Sequence, residues 1–337
     1  MNTTRNDVLG IDVSKKKLDL ALLINGKLRA KVFDNTSAGH RALVTWLRDS
    51  KASLPTLHIC MEATGVYYEA IATTLHTEGF KVSVVNPACI KGFGLGENIR
   101  NKNDEIDAGL IARYCAAMSP DPWTPPPLEQ RQLRAWTLRV QSLKDIRQQE
   151  ENRIEAHMVA GLRDVAANVS EHIKWLDAEI RKLQDEIDDH IDRHPGLKND
   201  ATLIASIPGL GATTVARVLG HLGDMRRFKN AKAFAAFLGL TPKQRTSGTS
   251  LKGRTMVSKT GNTSLRAALF MPSMVARRHN PILRQFAERL LANGMAKRAV
   301  ISAVTHKLAH LIYGVIRTGK PFDANYLHKN LAIQDGI

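Results

Sequence analysis

Val8-Leu9-Gly10-Ile11-Asp12-Val13, then Leu18-Asp19-Leu20-Ala21-Leu22-Leu23-Ile24, then Asn25-Gly26 and a further segment to Phe33, read as a three-strand meander. The apolar runs have strand length, and Asn-Gly is the preferred two-residue turn of a β-hairpin. Outward from this meander the pattern predicts a helix over 38–48, a strand over 57–61, a helix over 67–76 and a strand over 81–85. Asn86-Pro87 stops that strand, and a later helix carries Asp104 and Asp107.

The order is three strands, helix, strand, helix, strand, helix. It matches the ribonuclease-H type of α/β fold, whose acids lie on the first strand, the fourth strand and a late helix. The acids of this chain fall in those places. Asp12 ends the first apolar run, Glu62 ends Leu57-His58-Ile59-Cys60-Met61, and Asp104 and Asp107 stand three apart, on one face of a helix. Carboxylates at strand ends lie at the rim of a sheet, where substrate can approach. Four of them crowded together repel unless a cation sits among them. Mg²⁺ prefers such oxygen ligands, and phosphates complete its coordination. The pattern points to phosphodiester chemistry on nucleic acid.

A chain of 337 residues predicts two or three domains, and 43% hydrophobic with 24% charged residues is ordinary for a globular protein. The net charge of +16 is not ordinary. Residues 201–337 carry 21 Lys and Arg against 4 Asp and Glu, so the excess sits in the last third. A solvated surface or attraction to anionic lipid is the plain reading, but with no lipid-inserting amphipathic segment a polyanion partner is favoured, and nucleic acid is the commonest. Cys60, Cys89 and Cys115 form no C-x-x-C pair, which argues against a zinc site or disulfide framework and for a reducing compartment. The polar start and the lack of an apolar run of about eighteen residues lead to the expectation of a cytoplasmic protein with no membrane span.

Pro120-Asp121-Pro122-Trp123-Thr124-Pro125-Pro126-Pro127 marks a boundary. The expected domains are 1–125, a helical or coiled-coil arm at 126–195, and a mainly helical basic domain at 196–330. In the arm, Ile173, Leu176, Ile180, Leu183, Ile187 and Ile191 make a helical seam that serves either dimerisation or an intramolecular helix pair. Ile207-Pro208-Gly209-Leu210-Gly211 then resembles a helix-hairpin-helix element, in which Gly209 and Gly211 bare backbone N–H groups to a phosphate; an ordinary helix connection is the other reading. In 241–266, Lys243, Arg245, Lys252, Arg254, Lys259 and Arg266 alternate with glycines and hydroxyl residues, with no acid among them. Such a loop system can wrap a phosphate backbone. Ser247 precedes Gly248 there, as a phosphate ligand, a turn former or a nucleophile.

Gly10-Ile11-Asp12-Val13-Ser14-Lys15, Met61-Glu62-Ala63-Thr64-Gly65 and Lys102-Asn103-Asp104-Glu105-Ile106-Asp107-Ala108 resemble the acidic blocks of the DEDD transposases of the insertion-sequence one-hundred-and-ten family. Ile207–Gly211, Phe234–Pro242 and Ser247-Gly248 with Lys259–Arg266 resemble that family's C-terminal transposase block. The resemblance implies a RuvC-like N-terminal domain whose Asp12, Glu62, Asp104 and Asp107 hold Mg²⁺. It implies a nucleophilic serine at Ser247, with Ser250 as the fallback. It also implies donor and target DNA as substrates, a guide (bridge) non-coding RNA that pairs with both, and a homo-oligomer, dimer or tetramer, acting in a bacterial cytoplasm. A serine hydroxyl needs a metal or base to assist it, and the nearest histidine to an acidic block, His58, lies on the strand before Glu62. Metal assistance is therefore favoured. Two other readings stand beside this one. A junction-resolving nuclease that activates water would keep its rate in Ser247→Ala, and a non-enzymatic binder would be indifferent to Asp12→Asn.

Overall fold

The computed structural model describes the chain apart from residues 1–6, 51, 64, 98–103, 244–245, 248–250, 253–255, 259 and 326–337. The chain divides into two compact units, Met1–Pro125 and Pro126–Ile337.

In the first unit, β1 (Val8–Val13), β2 (Lys17–Ile24) and β3 (Lys27–Asp34) form the meander. Asn25 and Gly26 both take positive φ, 49° and 80°, as the tight hairpin turn requires. Then follow α1 (Ser37–Arg48), β4 (His58–Glu62), α2 (Tyr68–Thr77), β5 (Lys81–Val85), α3 (Pro87–Gly96) and α4 (Asp104–Met118). The five strands lie in the order β3-β2-β1-β4-β5. The pairs β1–β2 and β2–β3 are antiparallel, and β1–β4 and β4–β5 are parallel. Parallel neighbours need crossover connections, which α1 and α2 supply.

The helix α3 was not among the elements expected. Pro87 both stops β5 and takes the first helical position, where its missing N–H costs nothing, while Asn86 caps Ala88 N at 2.8 Å. On one face of the sheet Leu9, Ile11, Leu18, Leu20 and Leu22 pack with helix residues such as Leu43, Leu47, Ile71 and Leu75. On the other, Val8, Ala21 and Cys60 meet Ala108, Ile111, Ala112 and Cys115 of α4. The edge strand β5 is covered in part by the chain returning from α4, for Trp123 N donates to Val82 O at 2.7 Å.

The second unit is mainly helical. It runs α5 (Leu128–Val159), α6 (Arg163–Arg193), α7 (Pro195–Ala205), α8 (Ala212–Leu222), a short 3-10 turn (Met225–Arg227) and α9 (Ala231–Phe237). Four two-residue strands follow, β6 (Pro242–Lys243), β7 (Thr246–Ser247), β8 (Leu251–Lys252) and β9 (Met256–Val257). The chain continues with α10 (Thr263–His279), α11 (Pro281–Ala292) and α12 (Lys297–Thr318).

The helical seam is filled from within the chain. Leu176, Ile180, Leu183, Ile187 and Ile191 of α6 join one core with Leu133, Val140 and Leu143 of α5 and with apolar residues of α7 to α12. Of the two readings of that seam, the structure realises the intramolecular pair. The helix α12, at 22 residues, is long and apolar enough to cross a membrane by length and composition. It instead lines this core with Val300, Val304, Leu308, Ile312 and Ile316, at helical spacing.

Candidate active site

The acidic centre is built by sheet register and one glycine. β1 and β4 run side by side as far as Ile11↔Met61, and the next residue on each strand is an acid, Asp12 and Glu62. Alternation along a strand puts Val8, Gly10 and Asp12 on one face, and Cys60 and Glu62 on the same face of β4. That face is the one α4 covers. A Cβ on Gly10 would collide with the carbonyl oxygen of Ala108 and the amide nitrogen of Ala112, so the helix lies directly on the strand at this glycine. Along α4 the buried stripe of Ala108, Ile111, Ala112 and Cys115 is continued toward the N-terminus by position 107, so Asp107 opens on the strand ends. Asp104 is the first residue of α4, and its side chain lies outside the described residues. Asp12, Glu62 and Asp107 are each half-buried. Among the described residues no three acids, histidines or cysteines close into a metal-holding group.

An acid passed over in the sequence shares this face. Asp19 of β2 pairs directly with Asp12 across the antiparallel ladder, is 8% exposed, and receives Lys17 Nζ at 3.3 Å. Only register reveals it, since Asp19 is otherwise one polar residue in an apolar strand.

His58 sits away from this centre, at the opposite end of β4 from Glu62. It is buried, with Nε2 2.8 Å from Ser83 Oγ, which itself lies 2.8 Å from the Asp121 carbonyl. Its work is to tie β4 to β5 and the returning chain. Two of the cysteines, distant in sequence, adjoin behind the acids. Cys115 Sγ points at His58 O at 3.7 Å, and the hydrogen bond with Cys115, followed by burial, pushes the Cys60 thiol up. Both thiols are free.

In the second unit the expected glycine-hinged loop has strand structure. β6 pairs with β9 (Lys243↔Met256) and β7 with β8 (Ser247↔Leu251), two separate two-stranded antiparallel ladders, one inside the other in sequence, that together make the ribbon segment of this unit. Each of these strands is only two residues long, too short to show apolar alternation, and so carried no strand signature. Ser247 ends β7, and Lys252 stands on β8. The side chains of Ser247, Lys243 and Lys252 lie outside the described residues, as do Arg245, Ser250, Arg254 and Lys259 altogether.

Arg266 is engaged at the root of the ribbon, where it donates to Leu238 O and Thr263 Oγ1, each at 3.2 Å. Gly209 has φ of 103°, and a Cβ there would come within 2.7 Å of Ala276 on α10. The hairpin glycine thus allows close packing within the unit. Gly211, the residue before α8, has nothing within 4 Å of its Cβ position and faces open space. Beside this hairpin a cavity of about 270 Å³ is lined by Gln141, Lys144, Gln184, Asp188, Thr213 and Arg217, among others. Arg217 donates to Gln141 Oε1 at 2.9 Å, and burial holds its pKa below the usual guanidinium value. These residues come from three helices, so no local motif announced them.

Known proteins share both regions. A model described as the transposase IS116/IS110/IS902 family matches residues 201–288, and a DEDD-type IS110 transposase model matches residues 9–161. The first span holds the ribbon and the second holds all four acids. The pilin gene-inverting proteins of Moraxella bovis and Moraxella lacunata are each 32% identical, over 94% of this chain and 97% of their own. The transposase for insertion sequence element IS1328 of Yersinia enterocolitica is 25% identical, over 80% of this chain and 87% of its own.

Proposed function

The chain belongs to the IS110-type family of DEDD transposases, and on that premise we propose that it cuts and rejoins DNA with Mg²⁺ held by Asp12, Glu62, Asp104 and Asp107 and with Ser247 as nucleophile. Membership makes it a DNA-recombining protein. The observation that carries the catalytic reading is the meeting of Asp12 and Glu62 at adjacent strand ends, under the helix that begins at Asp104.

The donor set fits Mg²⁺. Hard carboxylate oxygens come from two strands and a helix, and His58, the nearest imidazole in sequence to the acids, is occupied with Ser83. When bound, Mg²⁺ supplies positive charge against the phosphoryl oxygens and helps an attacking oxygen lose its proton. The half-buried carboxylates hold that charge at the sheet rim. Ser247 Oγ then bonds to a DNA phosphorus as the phosphorus–oxygen bond to the neighbouring nucleotide breaks. Reversal with a different strand end releases the serine, so rejoining needs no ATP. Ser247 ends the short strand β7, among the basic residues of 241–266, which supports its meeting a DNA backbone.

In this reading the N-terminal unit is RuvC-like, with a ribonuclease-H strand order, and the basic ribbon and the hairpin at Gly211 grip phosphates. Donor and target sites are chosen by base pairing with a guide RNA, so the protein itself contributes sequence-independent contacts. The working form is a homo-oligomer. Its contact is the tip of α5 and α6, where Met158, Val159, Leu162 and Val165 are 54%, 87%, 50% and 45% exposed. The protein acts on bacterial DNA in the cytoplasm. Inversion of a segment, the act named for the two Moraxella proteins, is the same cutting and rejoining applied to two sites on one molecule.

Recombination on a plasmid carrying donor and target sites, with the RNA supplied, tests the acids. Asp12→Asn is expected to lose at least about a hundredfold in product while still binding DNA, since a carboxylate that holds the metal acts on the chemical step. Wild-type recombination by Asp12→Asn would sink the reading.

A further inference from the structure

Asp12 and Asp19 stand directly opposite each other on the antiparallel strands β1 and β2, on the face covered by α4. Cross-strand partners hold their Cβ atoms roughly 4.5–5.5 Å apart, and like charges so placed repel. Asp19 is nevertheless 8% exposed, a burial that a carboxylate tolerates only with compensation. Part of that compensation is Lys17, two residues back on the same strand and therefore on the same face. Its Nζ lies 3.3 Å from Asp19 Oδ2 and 3.5 Å from Oδ1.

The turn between the strands keeps Lys17 there. Ser14 Oγ donates to Lys17 O at 2.9 Å and accepts from Lys17 N at 3.1 Å, while Ser14 N donates to Lys17 O at 3.0 Å. Lys15 and Lys16 of the same turn are exposed. An ammonium is thus fixed, by a backbone clamp and a buried carboxylate, one cross-strand neighbour away from Asp12.

We propose that Asp19 is a positioning residue of the acidic centre, one that holds the Lys17 ammonium beside Asp12 and thereby sets how tightly the centre takes a divalent cation. The inference rests on the reading of Asp12 and its neighbours as the metal-holding group. Asp19 adds negative charge to the centre. Lys17 subtracts from it, and stands ready to meet a substrate phosphate once a metal ion has entered. The two substitutions therefore act in opposite directions. Asp19→Asn removes a negative charge and leaves the Lys17 ammonium, still held by the turn, uncompensated beside Asp12, and both effects weaken cation binding. Lys17→Met removes a competing positive charge and tightens it.

The test is direct titration of the full-length chain with Mn²⁺, followed by electron paramagnetic resonance, without nucleic acid. Asp19→Asn is expected to raise the Mn²⁺ dissociation constant by about tenfold and Lys17→Met to lower it severalfold, as unit charges within about 6 Å do at a partly solvated site. Thermal melting of each variant accompanies the titration. A pair that is only structural moves both variants the same way, in step with melting temperature, or moves neither, and each of those results overturns the proposal. Should Asp19→Asn fail to fold, Lys17→Met decides alone, because unchanged or weaker Mn²⁺ binding in it contradicts the charge-setting role. Asp12→Asn is the reference. If it binds Mn²⁺ as the wild type does, the acid-centre reading has failed, independently of Asp19.

Discussion

Gly10 shows how much one missing side chain can position. Its bare Cα lets α4 lie on β1, with the Ala108 carbonyl and Ala112 amide where a Cβ would be, and so brings Asp107 to the strand ends. Gly10→Ala is expected to destabilise the protein by about 1–3 kcal/mol, the usual cost of overpacking. It is also expected to lower DNA cleavage more than that loss of folded protein explains, because α4 must shift. Urea denaturation beside a cleavage assay separates the two effects. In the second unit His221 carries a pH signature. Its Nε2 is buried without a hydrogen-bond partner among the described residues, and burial, then Arg134 and Arg217, bring its pKa down to about 4. An unfolded histidine titrates near 6.5, so below that pH the unfolded chain takes up a proton that the folded chain refuses. Stability present above about pH 6.5 is therefore lost as pH falls toward 4. Melting temperature is expected to drop over this window, and to drop less in His221→Gln. Other histidines with lowered pKa, such as His306 and His310, act in the same direction, so the difference between the two proteins is the quantity to read.

At the scale of elements, the α5–α6 pair belongs to the core of its own unit. Leu183 and Ile187 are 9% and 5% exposed, in one cluster with Val140 and Leu143. Leu183→Ala or Ile187→Ala is expected to cost about 2–5 kcal/mol in denaturant unfolding, as buried large-to-small changes do, and to leave the oligomeric state unchanged in sedimentation. A seam used between chains would instead lose its oligomer first. The elements of the first unit were legible because short apolar runs closed by an acid are a strand signal in themselves, and Asn25-Gly26 names its own turn. What was hidden depends on pairing. Asp19 looks like any polar residue in a strand until β2 is laid against β1. The ribbon was hidden because two-residue strands carry no period. Ile207-Pro208-Gly209 allows both a phosphate contact and an ordinary helix connection, and the packing of Gly209 against Ala276 is not visible there, because Ala276 is on a distant helix.

For the whole molecule, composition and chemistry agree. A net charge of +16, concentrated after residue 200, suits a protein that handles polyanions, while Asp12, Asp19 and Glu62 share one sheet face of the first unit. Both spans match models of one transposase family, and two relatives align over nearly their full length. The central claim is that these parts serve a serine that joins covalently to DNA. The direct measurement is covalent trapping of the full-length chain with Mg²⁺, labelled donor and target DNA, and the RNA transcribed beside its gene, resolved on a denaturing gel. A protein–DNA adduct that requires RNA and metal, and disappears in both Ser247→Ala and Asp12→Asn, is the expected result. DNA cut to the same extent by the wild type and Ser247→Ala, with no adduct in either, would mean that water is the nucleophile and would contradict the claim.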